Sequence, residues 1–113
     1  MEVSFTMAWV LLFCAGLLEV VWASAMKASD GFTKLTPSVI TGAAAFVSFW
    51  MLAAAMKVLP LGTAYSVWVG IGAVGAVAVG VAWMGESVSL LRLGSVALII
   101  VGIIGLRLAE GNA

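Results

Sequence analysis

The positions of the charged residues constrain this chain more than any other feature. Only ten of its 113 residues are charged, namely Glu2, Glu19, Lys27, Asp30, Lys34, Lys57, Glu86, Arg92, Arg107 and Glu110. Long apolar stretches separate them, and a membrane-spanning helix needs about 20 mostly apolar residues. The sequence therefore predicts an all-α membrane protein with a single domain over residues 1–113 and four transmembrane helices, at about 7–26, 37–56, 62–83 and 88–107.

Composition argues against the other broad classes of protein. The chain is 65% hydrophobic and 9% charged, whereas a soluble domain carries about 25% charged residues and disordered chains are polar. A net charge of zero without a basic cluster argues against a nucleic-acid partner. There is no histidine and only one cysteine, Cys14, so we expect no metal and no cofactor. One membrane carboxylate without a partner base or nucleophile predicts no enzymatic activity.

Proline and serine residues predict where the helices begin. Thr36 reads as the N-cap of the second helix, with Pro37 at the first helical position. Pro60 separates the second helix from the third, because proline lacks a backbone donor and clashes with a continuing helix. Ser87 is the predicted N-cap of the fourth helix. Residues 1–6 are predicted to be a short polar extension before the first helix or an alternative start.

The distribution of basic residues gives almost no preferred orientation in the membrane. An even number of spans places both termini on one side, and that side carries Lys57 and Arg107. The opposite side carries Lys27, Lys34 and Arg92. The difference in Lys and Arg between the two sides sets the orientation of a membrane protein. With two basic residues on one side and three on the other, the chain is expected to insert in both orientations. Such insertion would allow two identical chains to pair antiparallel.

Glu19 is the one charged residue predicted to lie deep within a span. A carboxylate in the hydrocarbon costs a few kcal/mol, and such residues usually mark ion or proton pathways. A carboxyl group there can hold a proton or a cation, but not both comfortably, which is the minimal chemistry of an antiporter. The alternative is a structural glutamate that is protonated and hydrogen-bonded between helices.

Aromatic residues accompany this acid at helical spacing. Trp22 lies three residues after the acid, and Tyr65 and Trp68 show the same spacing on the third helix. Aromatic faces attract cations, and the tyrosine hydroxyl can orient a carboxylate. The alternative is the interfacial belt where Trp and Tyr collect, which is our prediction for Trp9 and Trp83.

Small residues on the third and fourth helices predict close helix packing. Those of the third helix, expected to permit bending or close approach, are Gly62, Gly70, Gly72 and Gly75. Those of the fourth helix, expected to form a dimer contact, are Gly94, Ala97, Gly102 and Gly105. Four helices can hardly enclose an aqueous path, whereas two chains provide eight helices and two Glu19 side chains facing one cavity.

Several segments carry a resemblance to a known family. They include GLLEVVWA at 16–23, PSVIT at 37–41, LPLGTAYSVW at 59–68 and GIIGL at 102–106. From about residue 7 to residue 108 the chain resembles the small multidrug resistance transporters, most closely their guanidinium-exporter subtype. The resemblance implies a homodimer of antiparallel, dual-topology chains in the bacterial inner membrane. In such a dimer, guanidinium and protons compete for paired membrane glutamates during alternating access.

The same resemblance assigns roles to individual residues. Glu19 matches the family's membrane glutamate, and Ser48, Tyr65 and Trp68 match the positions that line its site. Trp22 matches the guanidinium subtype, since quaternary-ammonium exporters usually have glycine there. The alternative for the Ser48 hydroxyl is a bond to its own helix carbonyl.

Val69 departs from the family pattern, because a threonine or serine usually follows the tryptophan. Its presence leaves room for guanylurea or other guanidinyl cations as substrates. The alternative functions are a broader exporter of quaternary ammonium cations, a non-transporting scaffold or half of a heteromeric complex, and a channel.

Overall fold

Four helices account for most of the chain. The computed structural model describes residues 2–111, and its helices are α1 (Phe5–Ala28), α2 (Leu35–Ala55), α3 (Leu61–Trp83) and α4 (Leu90–Glu110). Each is long and apolar enough to cross a membrane. No strand occurs among the described residues, so this part of the chain is all-α, as predicted. The prediction for residues 1–113 also covers Met1 and residues 112–113, which lie outside the described residues.

The first helix begins earlier than the sequence predicted. Ser4 is its N-cap, and the Ser4 hydroxyl accepts a hydrogen bond from the backbone N–H of Met7 at 3.1 Å. Such a bond satisfies one of the free N–H groups at a helix start. Val3 and Phe5 also pack against the core. The described part of the predicted extension therefore covers only residues 2–4, and Phe5 and Thr6 belong to the helix.

The second helix also begins before its predicted N-cap. Its N-cap residue is Lys34, with extended backbone (φ −108°, ψ 125°) and no side-chain cap bond. Thr36 is therefore helical, and Pro37 occupies the third helical position. The helix tolerates Pro37 there because N–H groups of the first turn have no partner within the helix. The predicted break at Pro60 is confirmed, since Pro60 is the N-cap residue of α3.

The fourth helix is capped by Ser89, not by Ser87 as predicted. The Ser89 hydroxyl accepts from the backbone N–H of Arg92 at 3.1 Å. The Ser87 carbonyl instead accepts from Nη1 of Arg92 at 2.9 Å, and Nη2 of Arg92 pairs with Glu86 Oε1 at 2.6 Å. The arginine side chain thus turns back over the start of α4 and pairs with a carboxylate.

The helices form a thin layer in which α1 is central. α1 packs against α2 and α3, and α4 packs against α3. The layer measures 43 × 36 × 17 Å. Its core lies where α1, α2 and α3 meet and contains Ala8, Leu12, Ala15, Leu52, Ala55, Leu59, Ala64, Val67 and Trp68. Alanines on α1 allow its two neighbours to approach closely, whereas α4 has no buried residue.

Candidate functional site

Glu19 lies on α1 against α3 and is partly buried. Its Oε1 atom is buried and has no hydrogen-bond partner among the described residues. The side chain occupies space that a larger residue at Gly72 would fill: a Cβ there would collide with the carboxyl group and lie 2.7 Å from Glu19 Cγ. A buried acceptor without a partner is costly in an apolar environment. This carboxyl group is therefore the clearest candidate for binding a cation or a proton.

Two more glycines of α3 lie in close contacts between helices. A Cβ at Gly75 would collide with Val20 of α1, and one at Gly70 would lie 2.9 Å from Ile103 Cδ1 of α4. Gly62 differs from them, because a Cβ there would have nothing within 4 Å. The structure thus gives three of the four glycines predicted on this helix a packing contact, and one of these contacts is with the acid itself.

The Ser48 hydroxyl joins three helices. Ser48 lies on α2 and is fully buried; its Oγ donates to the Ala15 carbonyl of α1 at 2.7 Å. The same oxygen accepts from Nε1 of Trp68 on α3 at 3.0 Å. Ala15 precedes Glu19 by four residues, which is about one helical turn. The serine therefore does not bond to its own helix, and it links the turn before the acid to an aromatic side chain of α3.

Four aromatic rings run in series across the same three helices. The Trp22 ring lies 6.3 Å from that of Phe49 at an interplanar angle of 67°, and Phe49 lies 5.6 Å from Trp68 at 61°. Tyr65 continues the series, 5.6 Å from Trp68 and tilted by 47°. The first two pairs are edge-to-face contacts, and the third is tilted. Of the three predicted site aromatics, Trp22 is thus linked to Trp68 through the ring of Phe49, and Tyr65 contacts Trp68 directly.

Phe49 is the member of this aromatic series that sequence reasoning missed. It lies on α2 directly after Ser48 and is 52% exposed. Phe46 and Trp50 of the same helix are exposed as well, so composition alone predicts lipid contact for all three. Only its position next to the polar Ser48 distinguishes Phe49 in the sequence.

The site is open on one side of the layer. Tyr65 is 52% exposed, whereas Trp68 is 6% exposed and fixed by its hydrogen bond. The indole N–H of Trp22 is buried and has no partner among the described residues. An unpaired donor and the unpaired Glu19 acceptor therefore occur one turn apart on α1. A carboxyl group one helical turn from an aromatic side chain can bind a single small cation or a proton.

Among the described residues, no helix packs against the predicted dimer-packing residues of α4. A Cβ at Gly94, Gly102 or Gly105 would have nothing within 4 Å, and Ala97 is exposed. Leu98 and Val101 on the same helix are 74% and 64% exposed. α4 thus presents an apolar surface with closely spaced small residues, which is the kind that packs helices together in membranes.

These features define a small multi-pass membrane protein with an acidic side chain between its helices. Residues 7–99 match the Small Multidrug Resistance protein family, and the chain belongs to that family. The resemblance predicted from the sequence is therefore confirmed.

Three relatives each carry the name guanidinium exporter. That of Escherichia coli K12 is 59% identical over 103 residues, covering 91% of this chain and 98% of the relative. Those of Yersinia pseudotuberculosis and Proteus vulgaris are 58% and 57% identical over 104 residues, covering 92% of this chain and all of each relative.

Proposed function

We propose that this protein exports guanidinium and related small guanidinyl cations in exchange for protons. The observation that carries the proposal is the Glu19 carboxyl group, whose Oε1 is buried without a partner among the described residues. Guanidinium is planar and presents forked N–H donors that match a carboxylate. The aromatic series that begins at Trp22 provides faces on which a planar cation can stack. The names of the relatives support this choice of substrate.

Coupling to protons follows from competition at Glu19. On the inner side the carboxyl group loses its proton and binds the cation. On the outer side it takes up a proton and releases the cation, so each cycle exchanges substrate for protons. The change between inward-open and outward-open states requires a site that holds a proton or a cation, because an empty buried carboxylate is costly to keep charged.

An antiparallel homodimer in the bacterial inner membrane provides the alternating access. Two thin layers that face each other would enclose the open side of the site, with two Glu19 side chains in one chamber. The unpartnered surface of α4 gives the subunits a place to pack. The nearly balanced basic residues permit both orientations. In such a pair the two subunits exchange equivalent conformations, so inward-open and outward-open states have nearly equal energy.

A broader exporter of quaternary ammonium cations is the second candidate. The exposed rings of Phe49 and Tyr65 could contact a bulkier cation that has no donors, since cation–π attraction needs none. Val69, which replaces the family's usual hydroxyl residue, is 39% exposed. The two candidates differ in whether donors on the substrate are required, and this difference can be measured.

Proton movement in liposomes tests the proposal. Purified protein is reconstituted with a pH-sensitive dye inside, and guanidinium or tetraethylammonium is added outside. Guanidinium should drive rapid proton exchange, and tetraethylammonium should drive much less. Strong exchange with tetraethylammonium would favour the quaternary-ammonium function, and guanidinium flux without proton movement would indicate a channel.

A matched pair of variants ties the activity to the membrane carboxyl group. Glu19→Gln removes the charge at the site, whereas Glu2→Gln makes the same change at an exposed residue before α1. Exchange should vanish in the first variant and persist in the second. Normal exchange in Glu19→Gln would refute the mechanism, and no exchange by the unmodified protein would favour a scaffold or a heteromeric partner.

A further inference from the structure

A hollow with a basic side chain at its edge lies between α1 and α4, at the end of the layer where α1 begins and α4 ends. Its volume is about 330 Å³, and it is lined by Phe5, Thr6, Trp9, Val10, Phe13 and Arg107. An apolar groove of about 250 Å³ adjoins it and shares Trp9, Phe13 and Arg107 with it. The other residues of the groove are Val67, Ile71, Ile103, Ile104 and Leu108. An entrance with one basic side chain among mostly apolar residues thus leads into an apolar groove.

Arg107 is held in place at this entrance by aromatic rings. Its guanidinium carbon lies 5.3 Å from the Phe5 ring centroid and 5.1 Å from that of Trp9. These two rings also contact each other, with centroids 6.4 Å apart. Cation–π contacts at such distances orient a guanidinium group without neutralising its charge. Trp9 is therefore part of a defined cluster, beyond the general interfacial role predicted from the sequence.

The charge of Arg107 is not paired within the described residues. One N–H of Arg107 donates to the Gly111 carbonyl at 2.9 Å, and the ion pair of the described residues is Arg92 with Glu86. The neighbouring carboxylate of Glu110 instead accepts from the Thr63 hydroxyl at 2.7 Å. Further N–H donors of the guanidinium therefore remain for an anion.

The hollow and the groove together extend along most of one leaflet of a bilayer. Phe5 of the hollow and Phe13, which lines both, are eight residues apart on α1, which corresponds to about 12 Å along the helix axis. One leaflet contributes about 15 Å of hydrocarbon. Arg107 is also three residues from the end of α4, the depth at which arginine side chains reach headgroups. A molecule with an anionic head and an acyl chain fits both dimensions.

We propose that this site binds one anionic phospholipid, with its phosphate against Arg107 and an acyl chain in the groove between α1, α3 and α4. A basic side chain near the membrane surface strengthens binding of anionic lipids about fivefold. The charge of Arg107 thus selects the headgroup, and the apolar wall retains the chain. This inference does not depend on the transported substrate, because Glu19 and the aromatic series of the transport site do not line either hollow.

Native mass spectrometry of the full-length protein tests the proposal. The protein is mixed with phosphatidylglycerol and phosphatidylcholine of identical acyl chains, and the lipids retained per chain are counted. The unmodified protein should prefer phosphatidylglycerol about fivefold. Arg107→Gln should abolish the preference, and Arg107→Lys, which keeps the charge, should largely retain it.

Arg92→Gln is the matched control, because it removes the other arginine of α4, which is already paired with Glu86. It should leave the preference unchanged, and circular dichroism should give all variants the same helix content. Equal retention of both lipids by the unmodified protein, or an unchanged preference in Arg107→Gln, would overturn the proposal. The proposal would also be overturned if the dimer retained no phosphatidylglycerol, because a second chain would then cover the groove. If inorganic phosphate alone displaced the bound phosphatidylglycerol, the role of the groove would be refuted, because phosphate has no acyl chain.

Discussion

Replacing Gly72 with alanine should displace the membrane carboxyl group while leaving the fold intact. The new Cβ would lie 2.7 Å from Glu19 Cγ and would overlap the carboxyl group. Carbon atoms in ordinary contact are about 3.5–4.0 Å apart, so the Glu19 side chain must move by about 1 Å. The backbone around Gly72 cannot easily yield, because the neighbouring contacts of Gly70 and Gly75 hold α3 against α4 and α1.

The effect on transport should be larger than the effect on stability. Overpacking of this kind costs about 1–3 kcal/mol, and replacing glycine with alanine in a helix returns about 1 kcal/mol. The net destabilisation is therefore about 0–2 kcal/mol. A displacement of about 1 Å in a binding group can reduce a rate about 100-fold. We expect guanidinium-driven proton exchange to fall between about 10-fold and 100-fold.

Gly62→Ala provides the matched control for this experiment. It makes the same substitution on the same helix at a position where a Cβ meets nothing within 4 Å. The initial rate of exchange and the half-saturating guanidinium concentration should be measured in liposomes for both variants. Gly62→Ala should match the unmodified protein. If Gly72→Ala transports as well as Gly62→Ala, the close contact does not determine the position of the carboxyl group.

Three further predictions concern the rest of the site. Ser48→Ala should leave the Trp68 indole N–H without an acceptor and cost about 1 kcal/mol of stability, measured by chemical unfolding in detergent; no loss would mean that the bond is not formed. Phe49→Leu keeps the residue apolar but removes the ring between Trp22 and Trp68. Guanidinium affinity, measured by calorimetry, should therefore fall several-fold, whereas Phe46→Leu on the same helix should leave the affinity unchanged. Guanidinium affinity should also weaken as the pH is lowered, because a protonated Glu19 has lost the charge that binds the cation; an affinity independent of pH would exclude competition at this residue.

The number and type of the helices could be predicted because the charges mark their limits. A carboxylate or ammonium group is costly in hydrocarbon, so charged residues concentrate between the spans. The helix starts were harder to predict, since several residues satisfy the same capping rule. Ser87 and Ser89 are both good N-caps; in the structure Ser89 caps the helix, and the Ser87 carbonyl accepts from the Arg92 side chain. That contact is three-dimensional and leaves no pattern in the sequence.

Part of the candidate site was also predictable, because a charged residue within a span is rare. Glu19 stands out because it is charged, and Trp22 because it lies one turn away. The bond between Trp68 and Ser48 depends on the relative rotation of α2 and α3, which sequence spacing does not determine. Phe49 is an exposed aromatic on a helix with several, so its place between two tryptophan rings could be recognised only from the packed structure.

The separateness of α4 has an evolutionary consequence. Because no residue of α4 is buried within the chain, its outward face can change without disturbing the core that positions Glu19. In the proposed dimer, where α4 is the contact between subunits, mutations there would alter which copies associate and would leave the binding chemistry alone. After a gene duplication, substitutions confined to this helix would be enough to produce two chains that pair only with each other.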